Sequence, residues 1–206
     1  MPGTRRRLSA DVRREQILET ASALFTEQGF ENIKMADIAE KLETSRPNIY
    51  TYYPSTEAIL DTLLERAVGE YTNDLRQTLA DNPGIDVTDI FHFLLRHREM
   101  LLLLHSGGGP KFRERRRKVD NTLDETTRLY LSGLVSDDEV RKSIDLILIT
   151  QRAAILGMAY ELVADGKEWN IDEVGQLVGV MLQAAYRHTF PGIEEALVQR
   201  GIKPQS

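Results

Sequence analysis

Apolar residues recur along this chain every three or four positions, and no stretch shows the strict alternation of a strand. A spacing near 3.6 gathers apolar side chains on one face of a helix, so the pattern predicts helices almost throughout. In the first, Val12, Ile17, Leu18, Ala21, Leu24 and Phe25 form the stripe, with Ser9 or Asp11 placed to cap its start and Gly29 its end. A short second helix follows over about 34–42, with Met35, Ile38, Ala39 and Leu42 on one face. Ser45 is placed to cap a third, with Pro47 in the first turn, where its missing N–H leaves no bond unmade. This helix is expected to run to about Tyr53, before Pro54. Ser55 or Thr56 then opens a longer helix, striped from Ala58 to Leu79 and closed by the sequence DNPG. Further helices are expected over 86–105, 111–133, 137–165 and 171–189, with a short last one over 193–200. The reading is all-α, with a break in character near residue 55: short helices and a basic end before it, long amphipathic helices after it.

Two short helices joined by a tight turn match helix-turn-helix geometry, although such pairs also occur as ordinary packing in bundles. Ile49 and Tyr53 sit one turn apart and are the natural anchors of the third helix. That leaves Arg46, Pro47, Asn48, Tyr50, Thr51 and Tyr52 on its other faces. Charge sharpens this picture. The chain has 32 Asp and Glu against 26 Lys and Arg, a formal net charge of −6, yet between Thr44 and Thr56 the single charged residue is Arg46. A surface that meets the phosphate charge of a duplex tolerates hydroxyls, amides and guanidinium and is repelled if it carries carboxylates.

Composition excludes several alternatives. There is no cysteine, so disulfides and thiolate metal sites are ruled out, and a reducing cytoplasm is the expected location. The start, MPGTRRRLSADVRREQ, lacks the apolar core of a secretory signal. The most apolar run, FHFLLRHREMLLLLH, is interrupted by charge and falls short of a membrane span, so no membrane partner is expected. His92, His97, His105 and His188 lack metal-ligand spacing, and no phosphate-binding glycine loop follows a strand. Neither an enzyme, nor a metal, nor a cofactor is expected. The run KFRERRRK, 111–118, is open to two readings, an anion-binding patch or a solvated helix face.

The stretches ILETASALFTEQGFENIKMADIAEKL and TSRPNIYTYYPSTEAIL resemble the TetR family of bacterial transcriptional regulators. The similarity spans Val12 to Leu60, with Ser45, Ile49, Tyr50, Tyr52, Ser55 and Glu57 in the family's positions. Three departures stand out: Glu43 where the family has Gly, Lys34 where it has Thr or Ser, and Thr56 where it has Lys. The resemblance implies an N-terminal three-helix DNA-binding domain over 1–54 and a larger helical domain over 55–206 that binds an effector and dimerises. Arg46, Pro47, Asn48, Tyr50 and Thr51 would then face bases. Tyr50, Tyr52 and Thr56 would face phosphates, with Lys34 and Ser45 beside them. Arg5, Arg6, Arg7, Arg13 and Arg14 are candidates to make up the missing charge.

The resemblance further implies a repressor that binds a palindromic double-stranded operator as a homodimer and is released by a small molecule. A DNA-binding regulator without an effector remains the alternative. Candidate pocket residues are Phe93, His97, Met100, Tyr130, Gln151, Arg152 and Ile155. The polar pair Gln151-Arg152 interrupts an apolar helix and needs partners, from an effector or from a dimer. Small residues that allow close helix approach suggest an interface of Gly157, Gly175, Val178, Gly179, Leu182 and Ala185.

Overall fold

The computed structural model describes residues 9–81, 86–134 and 138–189, and the side chains among them except for 126–148 and 185–189. Among the described residues the secondary structure is helical, with no strand. The elements are α1 (Ala10–Gln28), a single 3-10 turn (Phe30–Asn32), α2 (Met35–Lys41), α3 (Arg46–Tyr50), α4 (Thr56–Asp81), α5 (Val87–Arg96), α6 (Arg98–His105), α7 (Pro110–Leu134), α8 (Asp138–Ala164) and α9 (Ile171–Thr189). The expected helix over 193–200 and the arginines Arg5, Arg6 and Arg7 lie outside the described residues. None of the described helices is long and apolar enough to cross a membrane.

Local signals explain most boundaries. The Ser9 hydroxyl accepts the Val12 N–H at 3.3 Å, and Gly29 leaves α1 with φ +86° while its N–H bonds the Phe25 carbonyl. Ile17, Leu18, Ala21, Leu24 and Phe25 are buried as the period requires, but Val12 is 45% exposed and lies outside the core. Asp86 and Asp89 close a reciprocal capping box at the start of α5. One expected element differs: the helix over 86–105 is two helices, broken at His97. The His97 N–H reaches the Leu94 carbonyl three residues back, and its φ of −98° and ψ of 35° leave the helical region.

The chain packs as two compact units whose boundaries fall within α4, α6 and α7. The first unit contains the described residues up to Arg66 together with Leu103–Arg115. Its core combines Ile17, Phe25, Ile38, Ile49, Ile59 and Leu60 with Leu103, Leu104 and Phe112. The α6–α7 turn is fastened to the segment after α1. Phe30 donates its N–H to the Ser106 carbonyl at 2.6 Å, and Gly108 and Gly109 donate theirs to one oxygen of Glu31 at 2.8 and 2.6 Å. Burial opposes ionisation of Glu31, but the N–H groups of Gly109, Gly108 and Glu31 itself outweigh it and hold the carboxyl below its usual range. A side chain at Gly107 would place its first carbon 2.7 Å from the Phe112 ring and 2.8 Å from the Glu31 carboxylate.

In the second unit, Ala67–Leu102 and the described residues from Arg116 onward, α5 packs against α9 and α8. Tyr71, Phe93 and His97 form an aromatic cluster with centroid separations of 4.8 to 5.4 Å. Burial pushes the Tyr71 phenol well above its usual range.

Candidate nucleic-acid interface

The helix-turn-helix is assembled from three constraints. Lys34 occupies the N-cap of α2, and an ammonium cannot accept a hydrogen bond. The cap is made in the return direction only, by Asp37 accepting the Lys34 backbone N–H at 2.7 Å. Second, α2 ends in a paired C-terminal motif: Glu43 donates to the Glu40 carbonyl and Thr44 to the Ala39 carbonyl. This motif needs a left-handed residue, and Glu43 supplies it with φ +47°, alone among the described non-glycine residues. Third, Ile49 and Tyr53 are buried and tie α3 to the core. Burial also raises the Tyr53 phenol, opposed by the nearby Arg14.

α3 is shorter than expected and stops at Tyr50, with Thr51 as its C-cap. Ser45 holds the N-cap position, but its side chain makes no cap bond; its carbonyl accepts from Asn48 instead. Ser55 is the effective cap of α4, accepting the Ala58 N–H at 3.2 Å.

The anchoring leaves one face open. Ser45, Arg46, Pro47, Tyr50 and Thr51 are exposed, with Tyr50 at 53%, while Asn48, Tyr52 and Thr56 are half-buried and Lys34 is exposed. Asn48 donates from its carboxamide to the Thr44 hydroxyl at 2.9 Å, and Thr51 donates to the Asn48 carbonyl. Arg14 lies over the Tyr52 ring, 5.9 Å from its centroid, so α1 contributes a guanidinium beside this face. Thr56 hydrogen-bonds the Glu57 carboxylate at 3.4 Å. Glu57 is held below its usual range, first by its own backbone N–H, against desolvation, and further by Ser55, Lys111 and Arg115.

The basic run 111–118 disperses into local pairings. Lys111 sits 3.8 Å from Glu57, Arg113 donates to the Gly108 carbonyl, and Arg115 bonds Asp61 at 2.6 and 3.3 Å. These three cations are thereby held within the first unit, and the solvated-face reading fits them better than a single anion site.

In the second unit the pocket candidates are mainly core. Phe93, Met100 and Ile155 are buried, and His97 is wedged against Phe93 and Tyr71 with Asp74 3.3 Å from Nε2. Arg152 finds partners within its own chain, Asp120 at 2.7 Å and Asp124 at 2.9 Å. Gln151 beside it is half-buried. Tyr130 lies outside the described side chains.

Gly175, Val178, Gly179 and Leu182 are buried on the inward face of α9. A side chain at Gly175 would place its first carbon 2.6 Å from the Thr88 Cα, so the small residue serves the close approach of α9 to α5. The opposite face of α9 exposes Leu177, Val180 and Met181 at 61 to 64%. On α8, Ile149 and Met158 are also exposed, and Gly157 faces open space. Ala185 lies outside the described side chains.

Among the described residues no cluster of His, Asp and Glu could hold a metal ion.

Residues 17–63 match the family "Bacterial regulatory proteins, tetR family". The chain is 44% identical over 78 residues to the HTH-type transcriptional regulator EthR of Mycobacterium tuberculosis, covering 38% of this chain and 36% of that protein. The chain thus spans about a third of the length of that relative. The negative transcriptional regulator IcaR of the biofilm operon in Staphylococcus epidermidis is 22% identical over 186 residues, covering 82% of this chain and 99% of that one. Among solved structures, a TetR-like transcriptional regulator from Rhodococcus sp. RHA1 superposes with a TM-score of 0.65 at 24% identity, covering 88% of this chain and 98% of that one.

Proposed function

Because this chain belongs to the TetR family of bacterial regulatory proteins, we propose that it is a DNA-binding transcriptional repressor that acts as a homodimer and is released by a small molecule. The observation that carries the DNA-binding part is the open face of α3: Arg46, Pro47 and Tyr50 exposed, Asn48 half-exposed, no carboxylate among them, and Ile49 and Tyr53 buried behind. A helix so anchored presents its N-terminal end to a major groove. Tyr50, Tyr52 and Lys34 would hold phosphates, with Arg14 supplying charge that Thr56 does not. Repression is favoured by IcaR, described as a negative regulator.

Dimerisation would use the outward faces of α8 and α9. Leu177, Val180 and Met181 are three large apolar side chains within five residues, all more than half exposed. Contiguous apolar surface of this kind usually marks an interface. Two recognition helices would then sit in successive major grooves of a palindrome, about 34–36 Å apart. An effector within the second unit would favour a spacing that fits the grooves less well, with a coupling of about 1–3 kcal/mol.

Random-pool DNA selection with the purified protein, followed by gel-shift titration, tests this reading. We expect an enriched palindrome, affinity that falls steeply with salt, and a loss of at least about tenfold for Tyr50→Ala at unchanged melting temperature. A pool with no enriched sequence would overturn it. Ligands that bind the protein without altering operator affinity would favour a regulator without an effector.

A further inference from the structure

We infer that Asn48 reads an adenine in each operator half-site and that Thr44 is the residue that positions it for this task. The inference rests on the DNA-binding reading above and adds a base identity to it. Asn48 is the third residue of α3, in the leading turn, where side chains of a recognition helix meet base edges. Its amide nitrogen carries two hydrogens. One is committed to the Thr44 hydroxyl at 2.9 Å. The other hydrogen and Oδ1 remain, and they form the donor–acceptor edge that adenine complements in the major groove: N6–H donates to Oδ1 and N7 accepts from Nδ2–H. Guanine presents two acceptors there, O6 and N7, and leaves Oδ1 facing an acceptor.

The Thr44 bond does two things. It holds the carboxamide with its nitrogen toward Thr44, which leaves Oδ1 and the second N–H turned outward. It also lowers the ordering that recognition requires, since the side chain is already held. Thr44 is itself held by the α2 C-terminal motif through its N–H to Ala39. The reading geometry is therefore built on the α2–α3 turn and does not depend on α3 alone. Thr51 bonding the Asn48 carbonyl restrains the backbone on the other side.

The test uses the full chain and the sequence enriched by random-pool selection. A 7-deazaadenine at the position assigned to Asn48 removes the N7 acceptor and leaves pairing intact. It should weaken wild-type binding by roughly tenfold or more and have no effect on Asn48→Ala. Selection with Thr44→Val should return a pool in which the adenine preference at that position is relaxed while the other positions persist; Thr44→Ser, which keeps the hydroxyl, should retain it. Thermal melting separates loss of reading from loss of fold, and the base-analogue arm needs no altered protein. If no 7-deazaadenine placement in the half-site produces an Asn48-dependent loss, the adenine assignment is wrong. If Thr44→Val keeps the full preference, Thr44 has no positioning role. A wild-type protein that enriches no sequence would remove the DNA-binding reading itself, a distinct outcome.

Discussion

Glu43 holds a backbone conformation that L-residues adopt at a penalty of about 1–2 kcal/mol, because its Cβ crowds the neighbouring carbonyl. The two hydrogen bonds that close α2 fix it there. Glu43→Gly should therefore raise the unfolding free energy by about 0.5–1 kcal/mol, the relief being partly offset by the freedom glycine adds to the unfolded chain. Glu43→Val should lower it, and urea unfolding of the pair would show no difference if the penalty were absent. Glu31 gives a pH dependence of definite sign. Its folded carboxyl lies below the usual glutamate range, so its contribution is full above that range and fades as pH falls through the lowered pKa. Glu31→Gln should be less stable than wild type at pH 7, and the gap should close on acidification toward pH 3. A gap that stays constant with pH would remove the charge from the account. Glu43 was visible in the sequence as a departure from the family's glycine, but its effect was not. The backbone keeps the left-handed turn that glycine would make and stores the strain at Glu43.

At the scale of elements, α9 shows how far patterning reaches. Its existence and ends, Ile171–Thr189, follow from periodicity and agree with the expected 171–189. Which face meets which neighbour does not follow. Small residues signal that another helix comes close, which is why the sequence places Gly175 and Gly179 at an interface. At Gly175 the neighbour is α5 of the same chain. Gly175→Ala should lose about 1–3 kcal/mol through overpacking against Thr88, read as a lower melting temperature. Leu177→Asp with Met181→Asp should instead leave melting nearly unchanged and yield a monomer by light scattering. Val178→Asp, one residue from Leu177, should unfold the protein. If the double variant stays dimeric, the outward face of α9 is not the interface. The break at His97 was equally hidden, because FHFLLRHREMLLLLH contains neither Pro nor Gly and its apolar run continues across the break. The turn there coincides with the packing of His97 against Tyr71 and Phe93, both distant or unmarked in the linear pattern.

At the scale of the whole molecule, the family resemblance implies a division at 54/55, close to where composition changes. The packing instead groups Leu103–Arg115 with the N-terminal helices. Nothing in a linear pattern announces that partnership, since Phe112 in KFRERRRK gives no hint that it will be 2% exposed beside Phe30. The burial of Ile49 and the exposure of Arg46 and Tyr50, by contrast, follow from helical spacing.

The discontinuous first unit has a consequence for how the protein is made. A chain emerging from the ribosome has all of α1, α2 and α3 long before it has Ser106, Gly108, Gly109 and Phe112. Until those residues appear, the Glu31 carboxylate and the Phe30 N–H lack their partners and the Phe30 ring lacks its cover. The first three helices therefore complete their core only after Phe112 has been synthesised. A nascent or truncated chain ending near residue 66 should expose Phe30, bind a hydrophobic dye and unfold without a sharp transition. The same fragment supplied with a peptide of residues 103–115 should recover cooperativity.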